Sequence, residues 1–221
     1  MTKIIQGWDI SLNHAGIVQL EEGQDPKLWF VTTKPTIAKK FNNGIHLMMK
    51  KLKDKTAVQI ERLNEWDYII AKFIDETKPT HVAVEGYAFG ASQGAHQMGG
   101  IGEKFRQIIY NKGIKLRIYQ PTSVKLATAF HGHAKKARMI KYVQDRFKTD
   151  LSEYPNDIQE DLADSFGVAR LAKLELDLKD GVCKIDALNP KEVHIVTVIT
   201  KSSPVCLLDK EWTQRSYENR I

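Results

Sequence analysis

The sequence predicts an α/β fold built on one mixed β-sheet, and three observations carry that expectation. The first third holds three successive strand patterns, which read as an antiparallel meander. The remainder alternates helix and strand patterns, as parallel strands with helical crossovers require. Two of the apolar strand runs each carry one acid, Asp9 and Glu85, where a core strand should carry none.

Residues 4–11 read as a buried strand interrupted only by Asp9. Asn13-His14-Ala15-Gly16 is turn chemistry, and residues 16–21 and 28–33 supply the second and third strands. Residues 34–55 are rich in lysine and show little periodicity, which suggests a mobile connection. From Thr56 the spacing of Val58, Leu63, Trp66, Ile69, Ile70, Phe73 and Ile74 predicts an amphipathic helix ending before Pro79. Residues 80–87 form a short buried strand, followed by a glycine-rich segment and a helix carrying Ile101, Phe105, Ile108 and Ile109 that stops at Gly113. Residues 115–119 read as a strand, Pro121 opens a short helix, and residues 134–148 form a longer basic one. Asn156 is the expected N-cap of the next helix, with Leu162, Phe166, Ala169 and Leu171 or Ala172 on its buried side. Within the tail, residues 193–200 resemble a strand. The expected organisation is a domain over residues 1–175 and a C-terminal extension over residues 176–221.

A chain of 221 residues can bury one good core. It has no apolar run near the ~20 residues of a membrane-spanning helix, and its first residues show no signal-peptide anatomy. Cys183 and Cys206 match no zinc spacing and read as idle thiols of a reducing compartment, so a cytoplasmic location with no membrane association is expected. The formal charge is +6. Residues 90–148 hold twelve basic residues against two acids, a local surplus of +10 that suits an anionic polymer.

The acids define the chemistry. Asp161 and Asp164 lie three residues apart and share a helix face, while Asp157 and Glu160 suit the dipole at the helix N-terminus. Four carboxylates from two strands and a helix, Asp9, Glu85, Asp161 and Asp164, can meet at one point if hard divalent cations offset their repulsion. Two Mg²⁺ ions so held suit phosphodiester hydrolysis. No Walker loop, Gly-x-Ser-x-Gly or His-Glu-x-x-His competes, and His131-Gly132-His133 reads as a polar loop.

These fragments resemble the RuvC-type Holliday junction resolvases in a divergent, phage-like form. Gly7-Trp8-Asp9 with the turn to Gly16 is similar to the family's first strand, with Ile10-Ser11 where Pro-Gly is common. Val82-Ala83-Val84-Glu85-Gly86-Tyr87 resembles the strand ending in the catalytic glutamate, and the run from Asp161 to Ala169 the Asp-x-x-Asp helix. Pro121-Thr122-Ser123-Val124-Lys125 and Gly132 to Arg138 resemble its basic motifs, so Lys125 and Lys136, or else Lys135, match its phosphate-contacting lysines, with Arg138 in the same segment. The resemblance spans residues 4–172 and implies an RNase H-like fold and a homodimer. It further implies two Mg²⁺ ions per site, with Mn²⁺ as a substitute, and paired nicks in branched DNA. An aromatic just beyond the glutamate, Tyr87 or Phe89, would push between bases. Residues 92–111, with Met98 and Ile101, are the candidate dimer surface. Rival readings are a nuclease of the same fold acting on flaps, forks or RNA, an actin-like ATPase, which would need a second phosphate loop, and a non-catalytic nucleic-acid-binding relative.

Overall fold

The computed structural model describes residues 2–86, 95–202 and 206–207 of the chain. The expected meander is formed by β1 (Ile4–Ile10), β2 (His14–Glu21) and β3 (Lys27–Thr32), antiparallel in sequence, with Gly23 supplying the positive φ of the β2–β3 turn. The lysine-rich connection has more regular structure than its sequence suggests. It holds α1 (Pro35–Lys40) and a short strand, β4 (Gly44–His46), parallel to β3. Pro35 starts the helix, and burial of Ala38 and Leu47 fixes the segment despite its lysines.

Beyond it come α2 (Lys55–Thr77), β5 (His81–Glu85), α3 (Ala95–Asn111), β6 (Lys115–Tyr119), α4 (Pro121–Ala129) and α5 (Lys136–Phe147). They are followed by α6 (Asn156–Lys179), α7 (Pro190–Ser202) and β7 (Cys206–Leu207). The sheet runs β4-β3-β2-β1-β5-β6-β7, with β1, β5 and β6 parallel. Side-chain alternation along β1 divides the core. Trp8 and Ile10 pack with α2 and α3 on one face, whereas Ile5, Gly7 and Asp9 turn towards α6 on the other.

Two helix termini differ from the sequence reading. Pro155, not Asn156, is the N-cap of α6, so Asn156 is its first helical residue and no side chain caps it. Residues 193–200, expected as a strand, lie in α7. Asn189 Oδ1 accepts from the backbone N–H groups of Lys191 and Glu192 at 3.0 and 3.1 Å, and Glu192 Oε2 accepts from the N–H of Asn189 at 3.3 Å. This reciprocal capping starts a helix whose Ile195, Val196 and Ile199 are buried, and packing overrides the strand preference of a β-branched run. Residue 175 lies inside α6, and Ile195 and Ile199 of the tail join the same core cluster as Ile5 and Leu171.

α6 lies unusually close to the sheet. A Cβ on Gly7 would stand 2.3 Å from the Ser165 carbonyl oxygen and 2.4 Å from the Ala169 nitrogen, and one on Gly16 would stand 2.4 Å from the Asp161 carbonyl oxygen. Backbone meets backbone there, and α6 is buried on nearly every side. At the far end of the contact, Arg117 of β6 is fully buried and forks onto Glu175 of α6, with Nε to Oε2 at 3.0 Å and Nη2 to Oε1 at 2.7 Å. Tyr119 donates its hydroxyl to the same carboxylate, and burial together with Glu175 holds its pKa far above the usual phenol value. Arg117 therefore leaves the expected nucleic-acid footprint and serves as a buried tie.

Replacing Gly7 with Ala is expected to lower stability by about 3 kcal/mol, because no flexible side chain can yield to the new methyl. Urea denaturation of the two proteins measures it, and equal midpoints would refute the close approach.

Candidate active site

Asp9 is the penultimate residue of β1, with its Cα opposite Gly16 of β2. Its N–H donates to Ser165 Oγ at 3.1 Å, and that hydroxyl donates to the Asp161 carbonyl at 2.8 Å, so one serine ties β1 to the α6 turn carrying the acids. Glu85 ends β5, and the parallel pairing of Trp8 with Val84 sets it beside Asp9. Asp161 and Asp164 are almost wholly buried, 7% and 4% exposed. Asp157, one turn earlier, is exposed and paired with Lys34 at 2.8 Å, which holds its pKa below the ordinary value.

The four sequence-predicted acids thus share one electrostatic site. Burial first, and then Asp164, Glu85 and Asp161, push the pKa of Asp9 well above the usual carboxylate range. Burial followed by Asp164 pushes Glu85 up to about 7. Burial raises Asp164 as well, against the pull of Lys136. Lys136, at the first turn of α5, forms an ion pair with Asp164. Its own pKa is raised, because Asp164, Asp9 and Asp161 together outweigh the effect of its burial. Among the described residues neither the Asp9 nor the Glu85 carboxylate meets an arginine.

The donor set suits hard divalent cations. It offers carboxylate oxygens only, and Asp164 Oδ1 is buried with no hydrogen-bond partner. Among the described residues no three potential ligands stand as a finished cluster.

The basic residues divide. Lys104, Arg106, Lys112 and Arg146 are paired with Asp67, Glu103, Asp75 and Glu192, and Arg117 is buried. Most of these tie helices together, which narrows the footprint expected over residues 90–148. Lys125 of α4 is half-buried and acts on Glu85 and Asp164. Arg138 and Lys141 on α5, with Lys135 just before it and Lys148 just beyond it, are exposed and carry no ion pair among the described residues. Tyr87 and Phe89 lie outside the described residues, as does the start of the candidate dimer segment. Ile101, expected at the dimer surface, packs in the chain's own core instead, because α3 turns its apolar face to Trp8 and α2. The sequence reading missed Ser165, and it missed His14, whose Nδ1 lies 2.5 Å from Asp161 Oδ2. His14 sits among turn residues, and a serine within a helix gives no signal of its own.

No protein-family model matches the sequence, and no curated protein matches it. Solved structures do. RuvC from Thermus thermophilus is 21% identical, with 77% of this chain and 96% of the other covered at a TM-score of 0.57. The T. thermophilus RuvC in complex with a Holliday junction substrate is 22% identical, with coverage of 76% and 91% and a TM-score of 0.53. The yeast mitochondrial Holliday junction resolvase Ydc2 is 12% identical, with coverage of 76% and 78% and a TM-score of 0.50. The class that these likenesses define is the RNase H-like α/β fold, and within it the chain has the fold of RuvC.

Because like charges crowd Asp9, Asp9→Asn is expected to raise the melting temperature of the metal-free protein by about 2–4 °C, the shift that about 1 kcal/mol gives a chain of this size. Thermal melts in EDTA measure it, and a lower melting temperature would refute the crowding.

Proposed function

We propose that the chain is a structure-selective DNA endonuclease that resolves four-way junctions by paired nicks. The observation that carries this reading is the mutual electrostatic influence of Asp9, Glu85, Asp161 and Asp164, with the half-buried Lys125 of α4 acting on two of them and exposed basic side chains along α5. The RuvC fold, solved elsewhere with a Holliday junction substrate, supports it. The four carboxylates would hold two Mg²⁺ ions, or Mn²⁺ in their place, which supply a water of lowered pKa and stabilise the in-line displacement. Lys136, ion-paired with Asp164, offsets part of the repulsion among the acids. Lys125 is placed to contact the phosphate beside the acids, while Lys135 and Arg138 hold the flanking backbone.

Paired nicks call for two sites related by a two-fold axis, hence a homodimer. The exposed Ile60 and Tyr68 of α2 and Tyr110 of α3 supply apolar surface on the side of the sheet away from the acids. Acting on flaps, forks or RNA is the alternative for the same site.

The deciding experiment incubates the protein with Mg²⁺ and end-labelled four-way junction, flap, fork and RNA duplex, mapping cuts on every strand. Symmetric nicks in two strands of like polarity, lost in Asp9→Asn, are expected. Cutting of flap, fork or RNA in preference to the junction would overturn the junction reading. Lys125→Ala and Lys135→Ala are each expected to reduce the slope of log affinity against log salt by about 1. Titrations of the junction in Ca²⁺ at several salt concentrations check this, and unchanged slopes would remove these lysines from the interface.

A further inference from the structure

One side chain at the site has no part in the scheme so far. His14 opens β2, and its Nδ1 lies 2.5 Å from Asp161 Oδ2. A carboxylate can only accept, so Nδ1 carries the proton in this contact and donates it. The ring is 40% exposed and the aspartate side chain 10%. His14 itself is firmly mounted. Its carbonyl accepts from the Ser11 N–H at 2.8 Å and from Ser11 Oγ at 2.9 Å, and its own N–H donates back to that hydroxyl at 3.2 Å. Its Cα also pairs with Thr32 of β3.

Asp161 is fixed in a complementary way. The Ser165 hydroxyl holds its carbonyl, and the bare backbone of Gly16 lies against it, so its main chain cannot shift. Only the side-chain torsions are left. Two nearby acids on α6 are paired with lysines, Asp157 with Lys34 and Asp164 with Lys136. His14 supplies a hydrogen bond to the Asp161 carboxylate.

We propose that His14 is the positioning residue of Asp161. It binds one carboxylate oxygen and sets the plane of the group, leaving Oδ1 as the oxygen presented to a cation. Histidine is usually met as a ligand or as the outer partner of a ligating imidazole. Here the order is reversed, with the imidazole outside and the carboxylate inside, but the physical task of fixing a ligand's orientation before the ion arrives is the same. The inference rests on the reading of the four carboxylates as a cation site, and the experiment separates the two.

Mn²⁺ is titrated calorimetrically into the full chain without DNA, using the wild type, Asp164→Asn, His14→Ala, His14→Asn and His14→Leu. Asp164→Asn reports on the site itself and is expected to abolish the heat of binding. His14→Ala and His14→Leu are expected to weaken Mn²⁺ by about 10–100-fold, the usual effect of losing such a partner. His14→Asn places an amide N–H near the position of Nδ1 and is expected to restore most of that loss. In junction cleavage the His14→Ala defect is expected in kcat, with KM unchanged. Equal Mn²⁺ affinity in His14→Ala and the wild type would overturn the proposal, as would restoration by Leu as complete as by Asn, which would mark His14 as packing only. Should His14→Ala fail to fold, the Asn and Leu pair makes the same decision. Unchanged binding in Asp164→Asn would instead remove the cation site, and the role of His14 with it.

Discussion

Helix α6 rests on β1 and β2 with no side chain between the backbones, and most of what is distinctive in the molecule depends on that contact. Gly7 and Gly16 make room for it, Ser165 bonds across it, and Asp161 and Asp164 are carried by it into the charge field of Asp9 and Glu85. A helix seated on ordinary side chains would stand several ångströms further away, and the acids would be spaced by solvent. Close approach gains dispersion and the hydrogen bond from the Asp9 N–H to Ser165, and it forces like charges together. Lys136, brought in from the start of α5, and Lys125 of α4 offset part of that repulsion.

Charge is accordingly arranged in two tiers. Near the sheet, lysines face acids and hold down their mutual repulsion: Lys136 on Asp164, Lys125 acting on Glu85 and Asp164, and Lys34 on Asp157. Further out, Lys135, Arg138, Lys141 and Lys148 meet no acid among the described residues and are left for an anionic partner. The separation explains how a chain with a large basic surplus can keep an acidic centre. It also explains why counting charges along the sequence overstates the binding surface, since Arg117 is consumed by Glu175 and Lys104 and Lys112 by acids of α2.

The legible parts of the sequence were those where local pattern and tertiary role agree. β6 was readable to the residue, and α2 within one or two, because Lys115–Tyr119 alternates cleanly and the apolar spacing of α2 has helical period. Asp9 and Glu85 stood out because an acid in an apolar strand has few innocent uses. α7 was misread because its β-branched run was weighed and the Asn189-Pro190-Lys191-Glu192 capping sequence before it was not. α1 and β4 were hidden because their few buried residues, Ala38 and Leu47, sit among lysines. Arg117 and Glu175 could not be paired from the sequence at all, since 58 residues separate two groups that meet only once the sheet and α6 are assembled. For the same reason His14 looked like part of a turn.

The length of α6 has a consequence for how such a chain can change over generations. The helix is held at three levels, by Asp161 and Asp164 in the site, by Ser165 and Ala169 against Gly7, and by Glu175 on Arg117. One inserted or deleted residue anywhere between the first level and the last would turn one end by about 100° relative to the other, so either the acids or the buried fork would lose their partner. Single-residue length variation should therefore be absent from residues 161–175 and collect in the loop after Gly181, whose positive φ and open surroundings leave the chain free to lengthen. The active site and the distant tie would thus be inherited as one unit of fixed length.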